Sequence, residues 1–273
     1  MQTLAQIRQM LDERALAPRK SLGQNFLIDQ NLIAKLIDAA HVEPGETVLE
    51  VGPGTGTLTE ALLDRGARVI ACELDRGLAD LLRDTLVPKG LTLIEGDCLE
   101  RKRALNADLV EVLADRPFVL VANLPYACAT PLMHTLLAQH PACRGMYVTI
   151  QHEVAERLAA KPNSKSGTKA YGALSVVAQA LAEPAMIAKL PPACFWPRPD
   201  VTSAMIAVPR RVEPLTDDPM GLAEFAQRAF ASRRKQLGAT FGREGPWPEG
   251  VDPTMRAEAL TVEQIIALHR LSR

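Results

Sequence analysis

The stretch TVLEVGPGTGTLTEALL (47–63) decides the fold. Val48, Leu49 and Val51 make a short apolar run, three glycines follow at 52, 54 and 56, and Leu58, Ala61 and Leu62 then recur at helical spacing. A strand, a glycine loop and a helix in that order let a ligand approach backbone amides at the edge of an open α/β sheet. The same alternation continues outward. RVIACEL (68–74) precedes a helix over 76–87, LTLIEGD (91–97) follows, FVLVANLP (118–125) precedes a helix over 130–138, and MYVTIQ (146–151) one over 152–160. Continuous apolar strands that alternate with helices predict a mostly parallel sheet covered on both faces. Upstream, Asp29 can cap a helix whose Leu32, Ile33, Leu36, Ile37 and Ala40 share one face, ended by Pro44-Gly45. Downstream, a helix over 175–182 and the strands PAMIAKL (184–190) and TSAMIAV (202–208) add an antiparallel end, giving seven strands.

Past Arg210-Arg211 only helical periodicity remains: one helix over 219–236, one starting at Asp252-Pro253, and one after a capping box from Thr261 to Gln264. The expected boundary lies near 212, between an α/β domain (1–212) and a small all-α domain (213–273). The length of 273 residues suits two cores. Thirty-one basic against thirty-two acidic residues leave a net charge of -1, so binding to nucleic acid must rest on local patches. Five cysteines, at 72, 98, 128, 143 and 194, are odd in number and widely spaced, which predicts neither a disulfide framework nor a zinc set. A reducing cytoplasm is the expected compartment, and neither a signal peptide nor an eighteen-residue apolar span is present; no metal and no membrane are expected, and a monomer is.

The glycines read G-x-G-x-G. The dinucleotide fingerprint would need a glycine at Thr57, which disfavours NAD. Glu73 closes the second strand twenty-one residues after Gly52, placed to accept both hydroxyls of a ribose, and Asp97 closes the third, placed to accept from an adenine amino group. The fourth strand ends in Asn123-Leu124-Pro125-Tyr126, a Pro-braced loop that offers an amide oxygen, carbonyls and an aromatic face to a planar amine. Between Phe225 and Arg243 stand Arg228, Arg233, Arg234, Lys235 and Arg243 with no acid; Arg19-Lys20, the lysine loop KPNSKSGTKAYG (161–172) and Arg198 add to an RNA footprint. A tight turn without ligand, solvated strand ends and a solvated helix face are the plain alternatives for these residues.

EVGPGTGTLT (50–59), NLPY (123–126) and FWPRPDVTS (195–203), with the lead-in GQNFL (23–27), closely resemble the ribosomal RNA adenine N6,N6-dimethyltransferases of the KsgA type. YGALSVVAQ (171–179) and AFASRRKQL (229–237) extend the resemblance, which runs from about residue 20 to the end. It implies a Rossmann-like methyltransferase fold, S-adenosyl-L-methionine as donor, and two adjacent adenosines near the 3′ end of 16S rRNA, in the small ribosomal subunit or its precursor, as substrate. It further implies cofactor contacts at Asn25, Leu27, Gly52, Gly54, Glu73, Leu74, Asp97 and Asn123, with GQNFL as a lid. Asn123, the Leu124 carbonyl and Tyr126 would face the target adenine, Phe195 would stack on its other side, and Arg198, Arg228, Arg233, Arg234 and Lys235 would meet RNA.

Departures from the family pattern are Ala127-Cys128 after Tyr126, a longer lysine loop, and QLGATF after the basic run. Two other readings share these residues: a resistance-type enzyme acting on large-subunit rRNA, and an RNA-binding assembly factor that uses the pocket little. None of the five histidines is expected to be catalytic, because a sulfonium methyl is already activated and the chemistry needs positioning more than a base.

Overall fold

Val48 and Leu49 are both fully buried, on opposite faces of one strand, which requires a layer of helices on each side of it. The structure, a computed structural model, describes residues 1–101, 104–162 and 170–273. In chain order its elements are α1 (Leu4–Asp12), β1 (Phe26–Leu27), α2 (Gln30–Ala40), β2 (Thr47–Val51), α3 (Thr57–Asp64), β3 (Arg68–Glu73), α4 (Arg76–Thr85), β4 (Thr92–Glu95), the hairpin β5 (Leu99–Glu100) and β6 (Ala104–Leu105), and α5 (Ala107–Leu113). Then come β7 (Phe118–Asn123), α6 (Tyr126–Gln139), β8 (Cys143–Gln151), α7 (His152–Ala159), α8 (Ala173–Leu181), β9 (Ala185–Leu190), β10 (Phe195–Trp196), β11 (Ser203–Pro209), α9 (Pro219–Phe230), α10 (Gly238–Phe241) and α11 (Val262–Leu271).

The central sheet has seven strands in the order β4-β3-β2-β7-β8-β11-β9. β4, β3, β2, β7 and β8 are parallel, and β11 runs antiparallel to both of its neighbours, as the sequence predicts. Chain order reverses between β2 and β7, so their C-terminal ends diverge and open a crevice at that edge. One face of the sheet is covered by α2, α3 and α4. The other carries α5 to α8. Asp29 caps α2 by accepting from the Asn31 and Leu32 amides at 3.0 and 3.2 Å, and the face so started buries Ile33, Leu36 and Ile37, each contributing about 2 kcal/mol.

Helix α6 begins at Tyr126, four residues before the expected start, because Pro125 supplies an extended N-cap and the chain absorbs Pro131 inside the helix. The helix expected from Asp252-Pro253 does not form. Asp252 instead accepts from Thr254, and the Pro253 and Met255 carbonyls accept from Gly238 and Leu237, so the segment braces α10. The expected helix over 219–236 stops at Phe230, which places the basic run at 233–235 in the turn that follows it. Helices α9 and α11 pack on α8 through Leu222, Phe225, Ile265 and Ile266, in one hydrophobic cluster continuous with the sheet. Among the described residues no helix is long and apolar enough to cross a membrane. The lysine loop lies outside the described residues between 163 and 169.

Candidate active site

Three segments far apart in sequence close on one another at the C-terminal edge of β2 and β7. The glycine loop after β2 holds φ at +70°, +63° and +85° at Gly52, Gly54 and Gly56, which favours glycine. Contact adds a second requirement. A Cβ on Gly52 would lie 2.8 Å from Pro125, and one on Gly54 would lie 2.8 Å from the Phe26 ring. The glycines thus let the Asn-Leu-Pro-Tyr loop and the GQNFL segment seat directly on the loop backbone. Gln2 braces it from outside, donating to the Thr55 carbonyl at 2.8 Å and accepting from the Thr57 hydroxyl at 2.9 Å.

The GQNFL segment is positioned from both ends. Asp75, the N-cap of α4, accepts from Gln24 at 3.1 Å and pairs with Arg19 at 3.3 Å. β1 forms an antiparallel pair with β10, Phe26 opposite Trp196 and Leu27 opposite Phe195, and the Phe26 and Trp196 rings stack at 6.2 Å. Between these segments and the sheet edge lies a cavity of about 270 Å³. Asn25, Leu27, Gly52, Gly54, Glu73, Leu74, Asp97 and Asn123 all line it, and so do Leu124 and Tyr126.

Asn123 ends β7, and its Nδ2 donates to the Asn25 carbonyl at 2.9 Å. That bond fixes the amide orientation and leaves Oδ1 as an acceptor. The Tyr126 hydroxyl is 2.6 Å from Ser203 Oγ, and burial raises its pKa above the ordinary phenol value. Glu73 accepts from the Gly54 and Asp75 amides at 3.1 and 2.9 Å; desolvation raises its pKa in spite of those bonds. Asp97 is exposed at the rim, and one of its oxygens accepts from Leu99 at 3.0 Å.

Two of the expected residues are placed differently from the rest. Phe195 is not a wall of the cavity: its ring is 2% exposed and packs among Leu27, Leu190 and Met205, because the β1–β10 pair carries it into the core. Arg233 is turned inward, donating to the Tyr171 carbonyl at 2.6 Å and lying over the Phe230 ring. Arg198, Arg234 and Lys235 are exposed, and Arg228 is exposed over Phe225 and Phe241.

Glu50 was not singled out from sequence. It is 2% exposed, lines the cavity, accepts from Thr59 at 2.7 Å, and burial, with Glu73 nearby, pushes its pKa up to about 8. Its position inside the apolar run TVLEV was the available signal, since a carboxylate there must find a partner.

A parallel α/β sheet with a ligand crevice at its switch point, a glycine loop and carboxylates on successive strand ends define an enzyme of the Rossmann-like methyltransferase class. Residues 15–271 match the ribosomal RNA adenine dimethylase family. The ribosomal RNA small subunit methyltransferase A of Staphylococcus epidermidis is 39% identical over 98% of this chain and 94% of its own length, and that of Geobacillus kaustophilus is 37% identical over 97% and 94%. Among solved structures, the 23S rRNA methyltransferase ErmE superposes with a TM-score of 0.67 at 26% identity, covering 90% of this chain and 99% of its own. A dimethyladenosine transferase from Plasmodium falciparum shares the fold at a TM-score of 0.64 and 22% identity, over 80% and 75% of the two chains. The chain belongs to the ribosomal RNA adenine dimethylase family and is a methyltransferase of ribosomal RNA adenine.

Proposed function

We propose that this chain transfers methyl groups from S-adenosyl-L-methionine to N6 of two adjacent adenosines near the 3′ end of 16S rRNA, giving N6,N6-dimethyladenosines. The observation that carries this reading is the Asn123 amide, whose nitrogen is held by Asn25 so that its oxygen is left to accept from an exocyclic amine.

The donor set suits the cofactor. Glu73 and Asp97 offer carboxylate oxygens to ribose hydroxyls and an adenine amine, Leu27 and Leu74 give apolar cover, and Gly52 and Gly54 present backbone where a side chain would not fit. Bound, the cofactor supplies an activated sulfonium methyl. The chain's own work is positioning, which can contribute on the order of 7–11 kcal/mol. Asn123 Oδ1 and the Leu124 carbonyl accept the N6 hydrogens and turn the nitrogen lone pair out of the ring plane, and Tyr126 stacks on the base. With Phe195 in the core, stacking falls to Tyr126, and Phe195 backs Leu27 across the β1–β10 pair.

Residues 213–273 form the RNA-facing domain in this reading, with Arg228, Arg234 and Lys235 on phosphate and Arg233 holding the turn that carries the last two; Arg198 adds to them from the β10–β11 loop of the α/β domain. The small subunit, or its cytoplasmic precursor, is favoured as substrate by relatives at 37–39% identity named for that subunit, and binding to the precursor links a monomeric enzyme to subunit biogenesis. The 26% likeness to ErmE supports the large-subunit alternative less strongly. Transfer of labelled methyl to small subunits lacking the modification, followed by nucleoside analysis, tests the proposal. Dimethyladenosine at two adjacent positions is expected, and label confined to large-subunit RNA would overturn it.

A further inference from the structure

Helix α1 lies outside residues 15–271, so the likeness to the family assigns it nothing. Its inner face buries Ile7 and Leu11 against Phe26 and Leu78, which docks it on the GQNFL segment. Arg8, the next residue after Ile7, is exposed, and its guanidinium lies over the Trp196 ring at 5.1 Å from the centroid. Trp196 stacks in turn on Phe26, whose ring seats on Gly54. Arg8 is therefore joined to the glycine loop through two aromatic rings.

The arginines around it are paired: Arg14 with Asp84, Arg19 with Asp75 and Arg76 with Glu95. Among the described residues no acid pairs with Arg8, not even Asp12 one turn further along α1. Arg198, exposed two residues after Trp196, and Lys20, exposed six residues before Phe26, likewise carry no ion pair among the described residues. A guanidinium that rests by its face on an indole keeps its N–H edges free and gives up little freedom when they meet a phosphate. We propose that Arg8, propped on Trp196, is a phosphate contact of the α/β domain which, together with Arg198, holds the RNA strand next to the target adenine.

Position ties this contact to the base site. The chain runs from Trp196 through Arg198 to Ser203, seven residues that span at most about 25 Å, and Ser203 meets the Tyr126 hydroxyl at 2.6 Å. Arg8 and Tyr126 thus stand at the two ends of one short loop. The inference rests on ribosomal RNA as the substrate: an adenine that enters the cavity leaves its flanking phosphates at the rim, where cations lower the cost of holding them. Residues 213–273 supply such cations from one side. Arg8 and Arg198 supply them from the α/β domain, beside the segment that covers the cofactor cavity.

The test is binding of the full-length protein to a fluorescently labelled RNA stem-loop with two adjacent adenosines in its loop, followed by anisotropy between about 50 and 200 mM salt. Arg8→Ala should weaken binding by roughly 5–15-fold, the value of a charge-assisted hydrogen bond at an exposed site. It should also flatten the plot of log Kd against log salt by about 0.7–0.9, the share of one phosphate. Arg8→Lys, which keeps the charge, should keep the slope. Arg14→Ala, which removes a paired charge from the same region, should leave affinity within about twofold. Calorimetric titration should give S-adenosylmethionine the same affinity for Arg8→Ala as for the wild-type chain. An unchanged slope in Arg8→Ala, an equal effect of Arg14→Ala, or cofactor affinity lost in step with RNA affinity, the mark of a mere prop for the GQNFL segment, would overturn the proposal. The comparison is made on whichever ribosomal RNA the wild-type chain binds, so failure of the small-subunit reading is seen separately.

Discussion

The Tyr126 hydroxyl meets Ser203 Oγ at 2.6 Å across seventy-seven residues, joining the loop that ends β7 to the first residue of β11. Both are motif residues of the chain, and the bond makes one depend on the other. Ser203 holds the ring that would stack on the target base, so Ser203→Ala should lower kcat/KM for RNA by roughly 3–10-fold, the value of one hydrogen bond, without moving the KM for cofactor. Tyr126→Phe should match it, and Tyr126→Ala, which also loses the stack, should fall further, by roughly 5–150-fold. Steady-state kinetics with each substrate varied in turn checks this; equal losses in Tyr126→Phe and Tyr126→Ala would remove stacking from the account.

Asn123 has two tasks on its two amide atoms. Asn123→Ala removes the acceptor and should lose most turnover, while giving up one hydrogen bond to Asn25 weakens cofactor binding only a few-fold. Asn123→Asp separates the tasks. It keeps the acceptor but sets a carboxylate oxygen against the Asn25 carbonyl, so cofactor affinity should drop more than in the alanine variant. Calorimetric titration of cofactor against both variants reads the difference directly.

What was legible before the structure is what lies close together in sequence. The glycine loop, Glu73, Asp97 and Asn-Leu-Pro-Tyr each stand at a strand end, and alternation of strands and helices brings strand ends to one edge, so the cavity wall could be written down residue by residue. What was not legible has a common cause. The resemblance implies Phe195 as a stacking face; an apolar ring has the same sequence signature in a core as on a pocket wall, and only the pairing of β1 with β10, some 170 residues apart, carries it inward. Arg233 stands in the basic run by sequence, and only the fold brings the Tyr171 carbonyl, sixty-two residues away, to accept from it. Residue type fixes what a side chain can do; partners distant in sequence decide which of those things it does.

Gly54→Ala should disable the site by contact as well as by strain. Its φ of +63° costs about 1–3 kcal/mol for an alanine, and the new Cβ would meet the Phe26 ring at 2.8 Å and lift the GQNFL segment off the loop. Gly90→Ala is the control, because its φ of +104° is strained for an alanine too and nothing lies within 4 Å. Both variants should lose stability in thermal unfolding. Only Gly54→Ala should lose cofactor affinity, by at least about tenfold.

Glu50 gives the site a pH dependence whose sign follows from its burial. Folding raises its pKa from the ordinary value near 4.5 to about 8, so between those limits the folded protein holds a proton that the unfolded chain has released. Stability therefore falls as pH rises through that window, by about 1.4 kcal/mol per pH unit at most, and the contribution is complete only below the unfolded pKa. Glu50→Gln, which cannot ionise and can still accept from Thr59, should flatten the fall; melting temperatures of the two proteins between pH 5 and pH 8.5 would show it. Cofactor binding runs the other way. A net-positive ligand favours ionised carboxylates at Glu50 and Glu73, so its affinity should rise with pH towards about 8 and then level off, with proton release on binding. In Glu50→Gln both the rise and most of the proton release should disappear, which titration calorimetry in buffers of different ionisation enthalpy measures. An unchanged proton release in that variant would move the titrating group from Glu50 to Glu73.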